Sequence, residues 1–130
     1  MLRYIYLRIT GSNLQIEKAT DSLGLTPKFS YKSGDTCLTQ LGNEIVYKED
    51  CWQHEKSIKK GMILEKEIEE YIKFLTSKKS IIEYYKKDCS VQLGVMLYPD
   101  EYQSTIILSP EIIKLLEEIN IAFYVTMSTL

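Results

Sequence analysis

The chain has little with which to do chemistry. Among its 130 residues there is one histidine, His54, and three widely separated cysteines, Cys37, Cys51 and Cys89. Zinc wants four ligands in a structural site or three in a catalytic one, normally as closely spaced pairs, and Cys51-x-x-His54 is the one pairing with that spacing. With Cys37 and Cys89 isolated and no second histidine, neither a metal site nor a redox cofactor is expected. A Cys–His nucleophilic pair is excluded as well if this stretch is a strand, because residues three apart on a strand point to opposite faces. An odd, scattered set of cysteines is no disulfide framework and fits a reducing compartment. No catalytic triad, phosphate loop or cofactor fingerprint is present, so the reading leans against an enzyme.

Arginine is almost missing. Arg3 and Arg8 stand against 14 lysines, and the formal charge is −2 with a pI near 5.5. Bidentate recognition of phosphates and bases favours arginine on a basic surface, so no nucleic-acid partner is expected. No apolar run approaches the ~20 residues needed to span a bilayer, so no membrane partner is expected either. The alternating N-terminus, with Arg3 and Arg8 inside it, reads as a strand and not as a signal peptide, which points to a cytoplasmic protein. Heavy use of Lys, Ile and Tyr suggests a low-GC bacterial source. No Pro/Gly/Ser-rich or low-complexity break divides the chain, so residues 1–130 are expected to form a single α+β domain. At this length a chain buries roughly two-thirds of its unfolded surface.

What is present is architecture. Ile5, Leu7 and Ile9 alternate with Tyr4, Tyr6 and Arg8, which predicts a strand over residues 3–10 with one apolar face. A helix follows over Leu14–Leu23, with Ser12 and Gln15 spaced for a capping box and Gly24 suited to the left-handed position that ends it. A short strand over 28–31, a hairpin turning at Leu41-Gly42-Asn43 between 37–40 and 44–48, and a strand from Cys51 to Glu55 come next. Leu64, Ile68, Tyr71, Ile72 and Leu75 form one continuous stripe at helical spacing. A shorter helix runs over 79–86. Val91, Leu93, Val95 and Leu97 alternate strictly, predicting a central strand, followed by a turn at Pro99-Asp100-Glu101 and an antiparallel return over 103–108. Ser109-Pro110 supplies an N-cap and a proline at the first helical position for a helix over 111–119, and a strand closes the chain over 121–126. Three or four helices on one face of one sheet make a two-layer α+β sandwich: a ferredoxin-like βαββαβ core extended by a further strand and a C-terminal αβ unit.

The candidate binding residues are aromatic. Ten tyrosines exceed what a core of this size requires, and Tyr4, Tyr6 and Tyr124 lie opposite the apolar faces of their strands. If those strands are neighbours, the three form a patch on the open side of the sheet, able to receive a partner or a second copy. The alternative is plain cross-strand pairing, for which tyrosine is well suited. Trp52 and His54 share one face of their strand. Facing outward, they make a binding edge with tryptophan as anchor; facing inward, Trp52 is a core residue under the helices.

Several short motifs resemble a bacterial family known as domain of unknown function 4279. They are Tyr6-Leu7-Arg8-Ile9-Thr10-Gly11, Leu23-Gly24-Leu25-Thr26-Pro27, Tyr31-Lys32-x-Gly34-Asp35, a tryptophan (Trp52) before the long helix, and Leu108-Ser109-Pro110-Glu111 before the last strand. The chain departs from the family's more arginine-rich middle and acidic final strand, which here reads Ala122-Phe123-Tyr124-Val125-Thr126. The resemblance brings no activity with it. Small members of such families are suspected immunity or antitoxin-like proteins, so it implies a binding role. The residues and the resemblance together point to a non-enzymatic protein-binding module, with a toxin-immunity protein as its specific form. Its partner would be another protein, such as a toxin domain, or itself as a homodimer. The alternative is a small-molecule-binding or enzymatic domain with a pocket between sheet and helices, using His54 as a polar tool.

Overall fold

The computed structural model describes residues 3–98 and 105–128. In chain order these form β1 (Arg3–Gly11), α1 (Ile16–Leu23), β2 (Phe29–Tyr31), β3 (Thr36–Leu38), β4 (Glu44–Val46), β5 (Asp50–Ser57), α2 (Leu64–Ser77), α3 (Lys79–Lys86), β6 (Cys89–Leu97), α4 (Pro110–Ile119) and β7 (Ala122–Met127). The period-two strands and the period-3.6 helices segregate into two layers, an α+β arrangement. The main sheet has five strands in the order β2-β5-β1-β6-β7, and β3 and β4 form a separate hairpin.

β1 lies at the centre and is antiparallel to both β5 and β6. α1 carries the chain from β1 to β2, on the far side of β5, and α2 with α3 carries it from β5 to β6, on the far side of β1. The two crossovers thus interleave. α4 then returns the chain so that β7 runs parallel to β6, a pairing that requires a crossover helix rather than a tight turn.

All four helices bury their apolar stripes against one face of the sheet. Ile5, Leu7, Ile9, Trp52, Leu93 and Val95 share one cluster with Ala19 and Leu23 of α1, Ile68, Ile72 and Leu75 of α2, Ile82 of α3 and Ile112 and Ile119 of α4. Strict alternation in the strands and the single stripe on each helix leave no other arrangement that removes these side chains from water.

The helix boundaries show local chemistry at work. Gly24 ends α1 in the left-handed conformation (φ 69°), donating its N–H to Thr20. Ser109 caps α4, accepting from the Ile112 N–H at 3.2 Å, and Pro110 opens it. The capping box expected at α1 does not form. The chain turns left-handed at Asn13 (φ 58°), which carries Ser12 away, and the helix begins at Ile16 without a side-chain cap. The Leu14 N–H goes instead to Asp50 Oδ2 at 2.9 Å.

The return strand expected over 103–108 is absent from 105–108, which pair in no ladder. Ile106 and Leu108 pack on the core instead, and the Ile107 N–H reaches Glu65 Oε1 at 3.5 Å. The remainder of that expected strand and the turn at Pro99-Asp100-Glu101 lie outside the described residues. No helix among the described residues is long and apolar enough to cross a membrane.

Candidate functional site on the open face of the sheet

The register decides which side chains share the uncovered face. Tyr4 pairs with Ser57 and Met96; Tyr6 with Glu55 and Gly94; Arg8 with Gln53 and Gln92. Gly94 pairs in turn with Tyr124. Tyr4, Tyr6 and Tyr124 therefore do stand on one face, with Gly94 between the last two.

Their roles differ, because Tyr6 is only 8% exposed although no described helix lies over it. Its ring lies flat across Gly94, and a β-carbon at that position would run into the ring. An aromatic ring laid over a sheet glycine shields backbone that would otherwise be wet. Tyr4 leans on Tyr6 with ring centroids 6.2 Å apart, and the Arg8 guanidinium sits 5.6 Å over the Tyr6 ring from the other side. Burial raises the Tyr4 and Tyr6 hydroxyls above the ordinary range, so both are neutral donors at any physiological pH.

Arg8 is aimed by a relay. Its Nε donates to Gln53 Oε1 at 2.5 Å, and Gln53 Nε2 donates to Glu55 Oε2 at 2.6 Å. Gln53 is buried, so the relay is fixed in place. Among the described residues the two terminal nitrogens of Arg8 have no acceptor. A guanidinium held at Nε and stacked on an aromatic ring is prepared to take a planar carboxylate through its outer edge.

The β2 side of the same face is sealed by a column of rings. Phe29 stacks on Tyr31 with centroids 6.4 Å apart, and Tyr31 stacks on Tyr47 at 3.6 Å. The Tyr31 hydroxyl is pushed up to about 12, by burial first and by the Cys51 thiol beside it second. Burial raises the Cys51 thiol in turn, so it is an inert side chain under the column.

Trp52 and His54 do not join the face, so the outward Trp52–His54 binding edge does not form and the pair faces inward. Trp52 pairs with Ile9 and His54 with Leu7, which turns both toward the helices. Trp52 is 0% exposed and donates its Nε1–H to Thr20 Oγ1 of α1 at 3.0 Å. His54 Nδ1 lies 2.8 Å from the Tyr71 hydroxyl of α2, with the rings nearly parallel. Burial, then the Lys56 ammonium, holds the His54 pKa below its usual value, so its ring is neutral at pH 7.

Residues 2–130 match the family described as Domain of unknown function (DUF4279). The chain belongs to that family. No curated protein and no solved structure matches it.

Two further features of this DUF4279 chain were invisible in its sequence. The first is a buried knot at the start of β5. Asp50 Oδ2 accepts from the Leu14 N–H and from Lys32 Nζ, both at 2.9 Å, and Oδ1 accepts from the Ser33 N–H at 2.8 Å. Lys32 Nζ also reaches the Leu14 carbonyl at 2.6 Å. These bonds hold the Asp50 carboxyl below its ordinary range against the opposing effect of burial, and they tie the β1–α1 loop to the turn after β2. One aspartate beside Glu49 carries no sequence mark of that role.

The second is a cleft of about 360 Å³ between the α1 start and the α3–β6 corner, lined in part by Asn13, Lys18, Tyr84, Tyr85, Asp88 and Cys89. Lys18 Nζ sits 5.0 Å over the Tyr84 ring, and the buried Tyr85 hydroxyl has no hydrogen-bond partner among the described residues. His54 is not among the lining residues. Among the described residues no cluster of three or more His, Cys, Asp or Glu is arranged to hold a metal ion.

Proposed function

We propose that the protein is a non-enzymatic protein-binding module that recognises a carboxylate-bearing segment of another protein on the open face of its sheet. The observation that carries this reading is Arg8: held at Nε by the Gln53–Glu55 relay, stacked on Tyr6, with its outer nitrogens unused among the described residues. Tyr4 and Tyr124 stand on the same face around the Tyr6 ring, as ring surfaces with little side-chain entropy to lose on binding. A toxin-immunity protein is the specific form we favour. A toxin must be blocked by a preformed, rigid surface, and a sheet with fixed side chains supplies one.

The test is affinity capture from the native host with the wild-type protein, Arg8→Ala, Tyr124→Ala and a helix-face control, Lys66→Ala with Glu70→Ala. A partner retained by the wild type and the control and lost by Arg8→Ala supports the face. A partner lost only by the helix-face control removes it. For the immunity form, co-expression with a toxin encoded beside the gene should restore growth with the wild type and not with Arg8→Ala.

The cleft beside α3 favours a second reading, a small-molecule-binding domain. Its size falls at the lower end of ligand sites, roughly 300–1,000 Å³. Native mass spectrometry of protein purified from the host would show a bound small molecule, lost in Tyr84→Ala, if that reading holds.

A further inference from the structure

Among the described residues the sheet ends on one side at β7, and the sequence of that strand carries neither charge nor proline to protect its edge. Natural edges are kept from pairing by charge, proline, bulges or brevity. β7 spans Ala122–Met127 with no charge, no proline and no glycine. Its Tyr124, Val125 and Met127 are 43%, 45% and 47% exposed. The opposite edge, β2, has three residues and is flanked by Lys28 and Lys32.

The backbone shows which groups of β7 are unspent. Ser128 donates its N–H to the Leu97 carbonyl of β6. Backbone groups alternate in direction along a strand, so Ala122, Tyr124 and Thr126 face β6 as Ser128 does. The N–H and C=O groups of Phe123, Val125 and Met127 point away from the sheet. Among the described residues no strand lies there.

We infer that this edge pairs antiparallel with the same edge of a second copy, across a two-fold axis at Val125, joining the two five-stranded sheets into one. Three observations select a second copy. The three outward residues are evenly spaced about Val125, so the dyad brings Val125 opposite Val125 and Phe123 opposite Met127, with the outward N–H and C=O groups of each pair facing one another. Those side chains are all apolar and all on the helix side, while Thr126 meets Tyr124 on the open side, so every opposed pair is compatible. Without charges on the strand, no like-charge repulsion arises between identical copies. Pairing β7 with the three-residue β2 edge of another molecule would leave half of β7 uncovered and generate an open-ended array, whereas the two-fold contact closes.

Proline at an outward position tests the geometry directly. Val125→Pro removes an N–H that β6 does not use, and edge strands tolerate proline with that side facing solvent. Val125→Lys sets two ammonium groups against each other at the dyad. Sedimentation equilibrium over a concentration series should show a wild-type dimer, weakened at least about tenfold in both variants, with circular dichroism unchanged. Thr126→Pro removes a bond to β6 and should lower the melting temperature, which checks the assignment of outward groups. Arg8→Ala should leave the dimer intact, so failure of the open-face reading and failure of this one are separable. A monomeric wild type, an unaltered dimer in both Val125 variants, or open-ended oligomers would overturn the inference.

Discussion

The two faces of β1 solve one problem in different ways. On the helix side Ile5, Leu7 and Ile9 are removed from water by other elements of the fold. On the other side no described helix is available, and the strand covers itself. Tyr6 lies across Gly94, Arg8 and Tyr4 lie against Tyr6, and Phe29, Tyr31 and Tyr47 stack over Cys51. An aromatic residue on an open sheet face is therefore not automatically an anchor for a partner. Tyr6 and Tyr31 are spent on covering the sheet, while Tyr124 and the outer edge of Arg8 are left to make contacts.

The strongest way to break this contrast is to remove a large side chain from the covered face. Trp52→Ala should cost about 3–5 kcal/mol, the range for deleting a buried aromatic side chain. Urea unfolding monitored by circular dichroism measures it. A loss under about 0.5 kcal/mol, typical of surface changes, would mean that Trp52 is not under the helices.

On the open face the self-covering device has its own signature. Gly94→Ala should cost about 1–3 kcal/mol, because the new methyl group meets the Tyr6 ring and overpacks it. The effect should not be additive with Tyr6. In a Tyr6→Ala background the ring is gone, and Gly94→Ala should become nearly neutral. A double-mutant cycle with no coupling would show that the ring does not rest on the glycine.

These residues also show how far the sequence could be read. Period-two alternation places Tyr6 opposite Ile5 and Leu7, and that much was legible. Whether Tyr6 stands up or lies down depends on Gly94, which is 88 positions away and adjacent only through the register. The same limit explains Trp52 and His54. Their shared face was readable from spacing, but its direction follows from the pairing of Ile9 with Trp52. The Ser109-Pro110 cap and Gly24 were legible because caps are local chemistry. Asp50 was not, because its three partners come from two loops distant in the chain.

A subtler difference between the faces is in how they respond to pH. His54 on the covered face has its pKa lowered by burial and then by Lys56, which is itself paired with Glu67 at 2.7 Å. The unfolded chain, with a histidine pKa of about 6.5, then binds more protons than the folded one as pH falls through that region. The stabilising contribution is present above the unfolded pKa and is lost as pH falls toward the folded one. His54→Gln keeps a polar partner for the Tyr71 hydroxyl and does not titrate. The stability difference between wild type and variant should therefore change in the wild type's disfavour on going from pH 7 to pH 5. A difference constant over that interval would place the His54 pKa at its ordinary value and the ring within reach of water.

The smallest expected effect on stability is the one that bears most on function. Tyr124 lies on edge strand β7, 43% exposed, beyond Gly94 from the Tyr6 ring. Its hydroxyl makes no hydrogen bond among the described residues, and its ring is not part of the stacked column on β2. Surface substitutions with no such attachments shift stability by about 0.5 kcal/mol or less, and Tyr124→Ala should fall in that range. Tyr6→Ala, by contrast, uncovers Gly94 and should destabilise measurably. The pair separates a residue that builds the face from one that is available to a partner. If Tyr124→Ala proves as destabilising as Tyr6→Ala, both rings are structural, and the surface left for a partner reduces to Arg8 and its immediate surroundings.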